Sequence, residues 1–379
     1  MNTPKSTLTP TKPAAPASGI IASWVNFWFA PVDPVGLHAL RVLAGLLFLF
    51  WLLPLAGQQQ ALFGLDGLFD AKAYVESSRL PDLPPHLFGW SATYLSANPV
   101  VLGVIFWVSI AAVVLFTLGV ATRFTGVLTW VAVVSYTANP AISYDADPLL
   151  LMLAFYLMIG YLLLGQWGAG RSLLTRLLGP RETWLFHRPA TGAAFGSGES
   201  VGANLALRLF QVHFAIAMVA SGLHKLQVKE WWNGLAPWFY LNTPFGTTAE
   251  RVQAYRPSPE SYLTLFTLAA YLVLAWQFAF PAFAWRRGAW RAVLLGGAAV
   301  GWLACAFWVS LPLFGPILVV SCLGFLSAGE WRWLQSFVAE FPGVRSVLRR
   351  LSRVPDGSVL AGPKSGAVAR AAAVSVGQR

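Results

Sequence analysis

Eight apolar runs, most of them close to bilayer-crossing length, restrict what this chain can fold into. A span needs about 20 mostly apolar residues, and within hydrocarbon each backbone N–H and C=O must be satisfied inside its own segment, which leaves helices. The runs are 37–56, 98–118, 124–138, 148–165, 203–226, 261–284, 290–309 and 312–328. The expected fold is therefore all-α, a polytopic transmembrane helix bundle of about eight spans. Charged residues make up 11% of the chain, against about 25% in a soluble domain. Eighteen Trp suit the two membrane–water belts, where the ring body and the indole N–H both find partners.

Residues 20–330 form the expected membrane domain. Before the first run, Ile20–Phe29 with Trp24, Phe27 and Trp28 reads as an interfacial helix that stops at Ala30-Pro31, because the ring disfavours helix in the residue before it. Residues 1–19 are rich in Thr, Pro, Ala and Lys and read as a disordered cytoplasmic tail without a signal-peptide core. Residues 192–202 read as a Gly/Ser linker. Residues 331–379 read as a basic cytoplasmic tail, amphipathic over Trp331–Val354 and suited to an anionic leaflet.

Loop charges orient the bundle. Segment 57–97 carries Asp66, Asp70, Glu76 and Asp82 against Lys72 and Arg79, and 139–147 carries Asp145 and Asp147 with no base. Arg123, then Arg171, Arg176, Arg181 and Arg188, then Arg286, Arg287 and Arg291, mark the alternate loops. Alternating spans put every basic loop on one side, together with both termini, and the positive-inside rule makes that side cytoplasmic. A bacterial inner membrane is the expected location. Because the basic residues cluster at span ends, the net charge of +11 marks orientation, and no nucleic-acid partner is expected. Cys305 and Cys322 sit in late apolar runs without a Cys-x-x-Cys, so neither a disulfide framework nor a thiol redox centre is expected.

The fifth run carries polar groups that a lipid-facing helix has no use for: Gln211, His213, His224 and Lys225. A central charge costs about 2.5–3.5 kcal/mol on insertion scales. At 100° per residue Gln211 and Lys225 lie about 40° apart, and His213 and His224 about 20° apart on another side. One interior stripe therefore cannot hold all four equally. Held in a partly dry site, a lysine favours its neutral amine, which can take a proton; at a helix end it can equally snorkel to water. His213 is too deep to snorkel and reads either as a substrate contact or as a cross-helix hydrogen bond. The histidines are about 16 Å apart along a helix, so they cannot share a metal, and no metal is expected. Arg41, early in the first run, reads as a snorkelling or helix-pairing residue before a ligand contact. Asp145 and Asp147 read as caps of the fourth helix before ligand contacts. Trp231, Trp232 and Trp238 read as belt residues first.

Three stretches carry a resemblance: Gln211-Val212-His213, Ser221-Gly222-Leu223-His224-Lys225-Leu226 and Trp231-Trp232-Asn233-Gly234. Leu40-Arg41-Val42, Asp66-Gly67 and Asp145–Asp147 add to it. Over about residues 22–328 the chain resembles the HTTM family, the membrane domain related to vitamin K-dependent gamma-carboxylase. The resemblance implies a lysine base at Lys225 that deprotonates a hydroquinone, so a reduced, vitamin K-like quinone is the implied cofactor. It implies Lys225 and His213 as catalytic residues, with Gln211, His224, Trp231, Trp232, Arg41 and Asp145 as ligand contacts. The implied substrate is a peptide or small acidic molecule at the extracytoplasmic side. Gln277 stands where the family often has a glutamate, Trp302 where it has a histidine, and Met218 where it has an aromatic. The sequence shows no counterpart of the carboxylase's large extracytoplasmic domain, so carboxylation of a propeptide-tagged protein is not expected. Two readings stay open: a quinol-dependent membrane enzyme with carboxylase-like lyase or oxidase chemistry, and a non-enzymatic lipid- or quinone-binding or peptide-maturation and immunity protein. A secondary transporter ranks third, since no charged partner lies deep in another run.

Overall fold

The computed structural model describes residues 19–77, 90–139, 142, 146–164, 198–242, 247–307 and 313–340. The chain divides after Trp331 into a large first unit and a second unit, Arg332–Arg379. The helices are α1 (Ile20–Phe29), α2 (Val35–Leu52, extended by a 3-10 turn, Leu53–Leu55), α3 (Gln59–Phe63), α4 (Ala71–Ser77), α5 (Pro99–Leu118), α6 (Thr122–Thr137), α7 (Asp147–Leu163), α8 (Val201–Leu226), α9 (Lys229–Trp232), α10 (Ala236–Leu241), α11 (Ala249–Gln253), α12 (Pro259–Phe283), α13 (Ala289–Phe307), α14 (Phe314–Leu323) and α15 (Ala328–Glu340). Among the described residues the extended pairing is one antiparallel bridge, Val32 with Ser200. Asp145, most of the 1–19 tail and of the 192–202 linker, and the tail beyond 340 lie outside the described residues.

Local chemistry sets the helix ends. Asn98 caps α5 by accepting the Val100 N–H at 2.9 Å, with Pro99 in the first turn, where a missing N–H costs nothing. Gly119 ends α5 at φ 85°, a left-handed geometry that glycine takes without a Cβ penalty. Ser200 caps α8 by accepting the Ala203 N–H at 3.3 Å.

Of the eight expected spans, all contain helix, but not all reach span length. Five helices are long and apolar enough to cross a membrane: α2, α5, α8, α12 and α13; a sixth results if α14 and the start of α15 form one broken span. This set is compatible with an integral membrane protein. The shorter α7 is an interior element: Leu150, Leu153, Ala154, Leu157 and Tyr161 are all buried, against neighbours on α2, α6, α8 and α14.

Small residues bring α7 and α8 together. Gly202 and Ala206, four apart on α8, face Leu163 and Gly160 of α7: a Cβ on Gly202 would lie 2.7 Å from the Leu163 carbonyl oxygen, and one on Gly160 would lie 3.2 Å from the Ala206 Cβ. Such small-xxx-small faces are how apolar helices gain close packing where lipid offers no hydrophobic driving force.

One end of the bundle collects the starts of α2, α6 and α8 and the ends of α7 and α14. Arg123 of α6 donates to the Leu164 carbonyl at 2.7 Å, and Gln211 of α8 donates to the Gly324 carbonyl at 2.9 Å. Arg41 is 2% exposed and donates to the Tyr161 hydroxyl at 3.0 Å, while His38 Nδ1 meets the same hydroxyl at 2.7 Å. With Arg41 donating to it, the hydroxyl is free to give its proton to His38. Arg41 and Arg123 thus converge on the last turn of α7, whose negative dipole end offsets buried positive charge. α1 buries none of its side chains. It is tied to α8 by the Asn204 amide, which donates to the Phe27 and Trp28 carbonyls at 3.0 and 3.1 Å, and by Arg208 over the Phe27 ring at 4.4 Å.

α15 opens with a capping box. The Ser327 hydroxyl accepts the Glu330 N–H at 3.4 Å, and Glu330 accepts both the Ser327 N–H and its hydroxyl at 2.7 Å. Arg291 adds an ion pair with Glu330 at 2.9 Å. Partial burial pushes the Glu330 carboxyl up, but the Ser327 bonds and the Arg291 guanidinium outweigh it and hold the group below its usual range. A carboxyl lowered on folding stabilises above its unfolded value, about 4.3, and loses that contribution as pH falls through the folded value. Glu330→Gln is expected to lower thermal stability in detergent at pH 7 by under about 1 kcal/mol, since the pair is partly exposed, 13% at Arg291 and 30% at Glu330. The deficit should begin to shrink as pH falls below about 4.3 and vanish once pH has passed below the folded value; a deficit that stays constant as pH is lowered from 7 through that range contradicts this. In the second unit Trp333 and Phe337 stack at 5.9 Å and are exposed.

Candidate functional site

The last turn of α8 and the chain that folds back from it build one polar cluster. Ser221 and Lys225, four apart, share a face, and the Lys225 amine donates to the Ser221 hydroxyl oxygen at 2.6 Å. Gln277 of α12 donates its amide N–H to the same oxygen at 3.3 Å. Gly222 permits this approach, because a Cβ there would already lie 3.1 Å from the Phe278 ring. Gln277 is buried, and its Oε1 has no hydrogen-bond partner. Among the described residues the ion pair is Arg291–Glu330, and Lys225 has no carboxylate partner. Its amine instead lies 5.4 Å from the centre of the Trp231 ring, a favourable place for a cation.

The Trp-Trp-Asn-Gly segment forms the wall. Trp231 is buried with Ala236 against Ala270 and Leu274 of α12. Trp232 is exposed, and its indole N–H caps α8 by donating to the Leu226 carbonyl at 2.6 Å. The Tyr271 hydroxyl of α12 donates to the Trp232 carbonyl at 2.6 Å. Gly234 has φ +75°, and a Cβ there would lie 2.6 Å from Thr267 Cα, so only glycine fits the turn that lays this wall on α12. Trp231 therefore belongs to the site's packing, and Trp232 covers the helix end.

The other expected site residues lie elsewhere. Gln211 is buried and engaged fourteen residues, about 21 Å, along α8 from Lys225: its Oε1 accepts from Arg208 at 2.9 Å and from the Trp285 indole at 3.0 Å, and its amide donates to Gly324. It pins α8 to the α12–α13 turn and to the end of α14. His213 is exposed, twelve residues or about 18 Å along the helix from Lys225, and its Nδ1 meets the Tyr156 hydroxyl at 3.1 Å. His224 is exposed, about 100° around the helix from Lys225. Arg41 belongs to the Tyr161 cluster at the other end. Asp147 is buried in the first turn of α7. Ser221 and Gln277 were not among the expected contacts. The i, i+4 spacing of Ser221 and Lys225 is the signal that identifies the first; nothing within one helix identifies the second.

The polar groups present can both donate to and accept from a hydroxyl. Lys225 has amine capacity beyond its bond to Ser221, and the unpartnered Gln277 oxygen can accept an O–H. No family model matches the chain, and neither a curated protein nor a solved structure matches it.

Proposed function

We propose that this chain is an integral membrane protein that holds a hydroxyl-bearing amphiphile, such as a hydroquinone, against Lys225 at the extracytoplasmic end of α8 and takes its proton. The supporting observation is the Lys225 amine bonded to Ser221 and lying near Trp231, with no carboxylate to neutralise it, beside a buried Gln277 oxygen that lacks a donor. The HTTM-like motif, which resembles the gamma-carboxylase membrane domain, leads to the same lysine. In this reading the O–H proton passes to the amine lone pair, leaving an ammonium beside the charge it has just created. Ser221 keeps the amine in place, Gln277 orients the hydroxyl, and Trp231 excludes water from one side. A bound hydroquinone would supply reducing equivalents for a later step. The arginine-rich end of the bundle is cytoplasmic by the positive-inside rule.

One observation favours the second reading, a binding or peptide-maturation protein without turnover. Among the described residues, the side chains that meet Lys225, namely Ser221 and Trp231, and Gln277 through Ser221, include no second ionisable group, so a reaction needing two proton carriers has one of them in this cluster. Both readings require a ligand. Mass spectrometry of small molecules retained by the detergent-purified protein tests them, with wild type beside Lys225→Met. A quinone or other hydroxyl amphiphile depleted in the variant is expected; phospholipid alone in both would remove the proposal. Oxygen uptake with a reduced naphthoquinone then separates turnover from binding.

A further inference from the structure

Arg208 of α8 is a cation held in place without an anion. Among the described residues it has no carboxylate partner. Its Nη1 donates to the Gln211 Oε1 at 2.9 Å, and its Nε is buried without an acceptor. The guanidinium lies 4.4 Å from the centre of the Phe27 ring of α1. The side chain is half-buried. A stack and one hydrogen bond therefore fix the head, while most of its five donors have no protein acceptor.

Several helix ends set the level at which this occurs. One residue before Arg208, Leu207 meets the start of α2, where a Cβ on Gly36 would lie 3.9 Å from it. Three residues after Arg208, Gln211 bonds the Trp285 indole, just past the end of α12, and the Gly324 carbonyl at the end of α14. α13 starts four residues beyond Trp285. Irregular backbone facing lipid is excluded from hydrocarbon, so in a bilayer the α12–α13 turn marks the headgroup region, and Arg208 stands at that level.

Water solvates a guanidinium there too, but two observations select a phospholipid. First, α1 has no charged residue and buries none of its side chains, and Ile20, Ile21 and Trp24 are exposed. Acyl chains satisfy such a surface, and α1 is the helix that supplies the ring under Arg208. A lipid lying along α1 thus brings its phosphate to the guanidinium. Second, the α12–α13 turn adds Arg286 and Arg287, both exposed, with no acid between Trp285 and Arg291. An anionic headgroup has no amine of its own to compete with these bases, and the planar fork of an arginine matches two phosphate oxygens.

We infer that Arg208, held by Phe27 and Gln211, binds the phosphate of an anionic phospholipid whose acyl chains lie along α1. The site rests on the chain spanning a bilayer, as in the proposed function, and is independent of the chemistry at Lys225. Native mass spectrometry of the full chain tests it, after incubation in detergent with equal amounts of phosphatidylglycerol and phosphatidylcholine. Wild type should retain phosphatidylglycerol at least fivefold over phosphatidylcholine. Arg208→Gln should remove that preference. Arg208→Lys guards against a Gln variant that fails to fold. It keeps the charge but loses the fork, and retention should drop about threefold. Added phosphatidylglycerol should raise the thermal midpoint of wild type and leave that of Arg208→Gln where it was, a difference that a purely structural arginine would not produce. Lys225→Met should retain the phospholipid as wild type does, so this site and the hydroxyl-amphiphile site are read separately. A large excess of inorganic phosphate should leave the lipid bound. Displacement by inorganic phosphate would mark a simple anion site and overturn the lipid. Equal retention of the two lipids, retention of neither, or a preference that survives both Arg208 variants also overturns the inference.

Discussion

Gly202→Val should be the most damaging single substitution in the membrane domain, costing about 3 kcal/mol or more. The new Cβ would lie 2.7 Å from the Leu163 oxygen, 2.8 Å from its Cβ and 2.9 Å from its carbonyl carbon. Two of those atoms are backbone, and they close the last turn of α7, where Arg123 is bonded to the Leu164 carbonyl. No side chain can rotate away, so α7 and α8 must separate, and the Gly160–Ala206 contact one turn further along opens with them. Thermal unfolding in detergent should show a midpoint lowered by roughly 6–12 °C. Two controls isolate packing from propensity. Gly198 has nothing within 4 Å, and Gly198→Val should be silent. Gly103, inside α5, also faces open space, and Gly103→Ala should stabilise by about 0.5–1 kcal/mol. A Gly202→Val protein as stable as wild type would mean that α7 and α8 are not in this contact.

The helices were legible because apolar length is local. What was not legible depends on which side of a helix meets protein and which meets lipid. In a soluble helix polar residues mark the outer face; in a bilayer both faces are apolar, and hydrophobic pattern carries little information about burial. Hence His213, read as a possible substrate contact, faces outward, and Gln211, read as a ligand contact, is consumed by Arg208, Trp285 and Gly324. Helical angle did separate the two histidines from Gln211 and Lys225, without saying which pair turned inward. The run 148–165 becomes α7, a 17-residue helix shorter than the five candidate spans, with most of its residues buried between other helices. Long-range contacts such as Gln277 to Ser221 leave no trace in one helix's spacing. The His38–Tyr161–Arg41 cluster is equally invisible, because it joins residues more than a hundred positions apart.

Lys225 should show opposite effects on stability and on function. Its amine contributes a hydrogen bond to Ser221 and a favourable position at the negative end of α8, worth about 0.3–1 kcal/mol. Against this stands the desolvation of a cation with no carboxylate partner. Replacing such a charge with an apolar side chain of similar volume is often neutral or stabilising. Lys225→Met is therefore expected to unfold within about 1 kcal/mol of wild type. Ligand retention should fall much further. A hydrogen bond to a charged group contributes about 1.5–3 kcal/mol, which corresponds to a loss of roughly 10–100-fold. Lys225→Arg divides the two roles of the side chain. A guanidinium keeps the positive charge and can still hold an oxygen atom, but it does not deprotonate in proteins. Retention should survive in that variant, while any proton-dependent turnover falls by about 100-fold or more. Turnover preserved in Lys225→Arg would rule out the base and leave the lysine as an anchoring charge. A large stability loss in Lys225→Met would instead make it structural, a consequence of the contacts with Ser221 and Trp231.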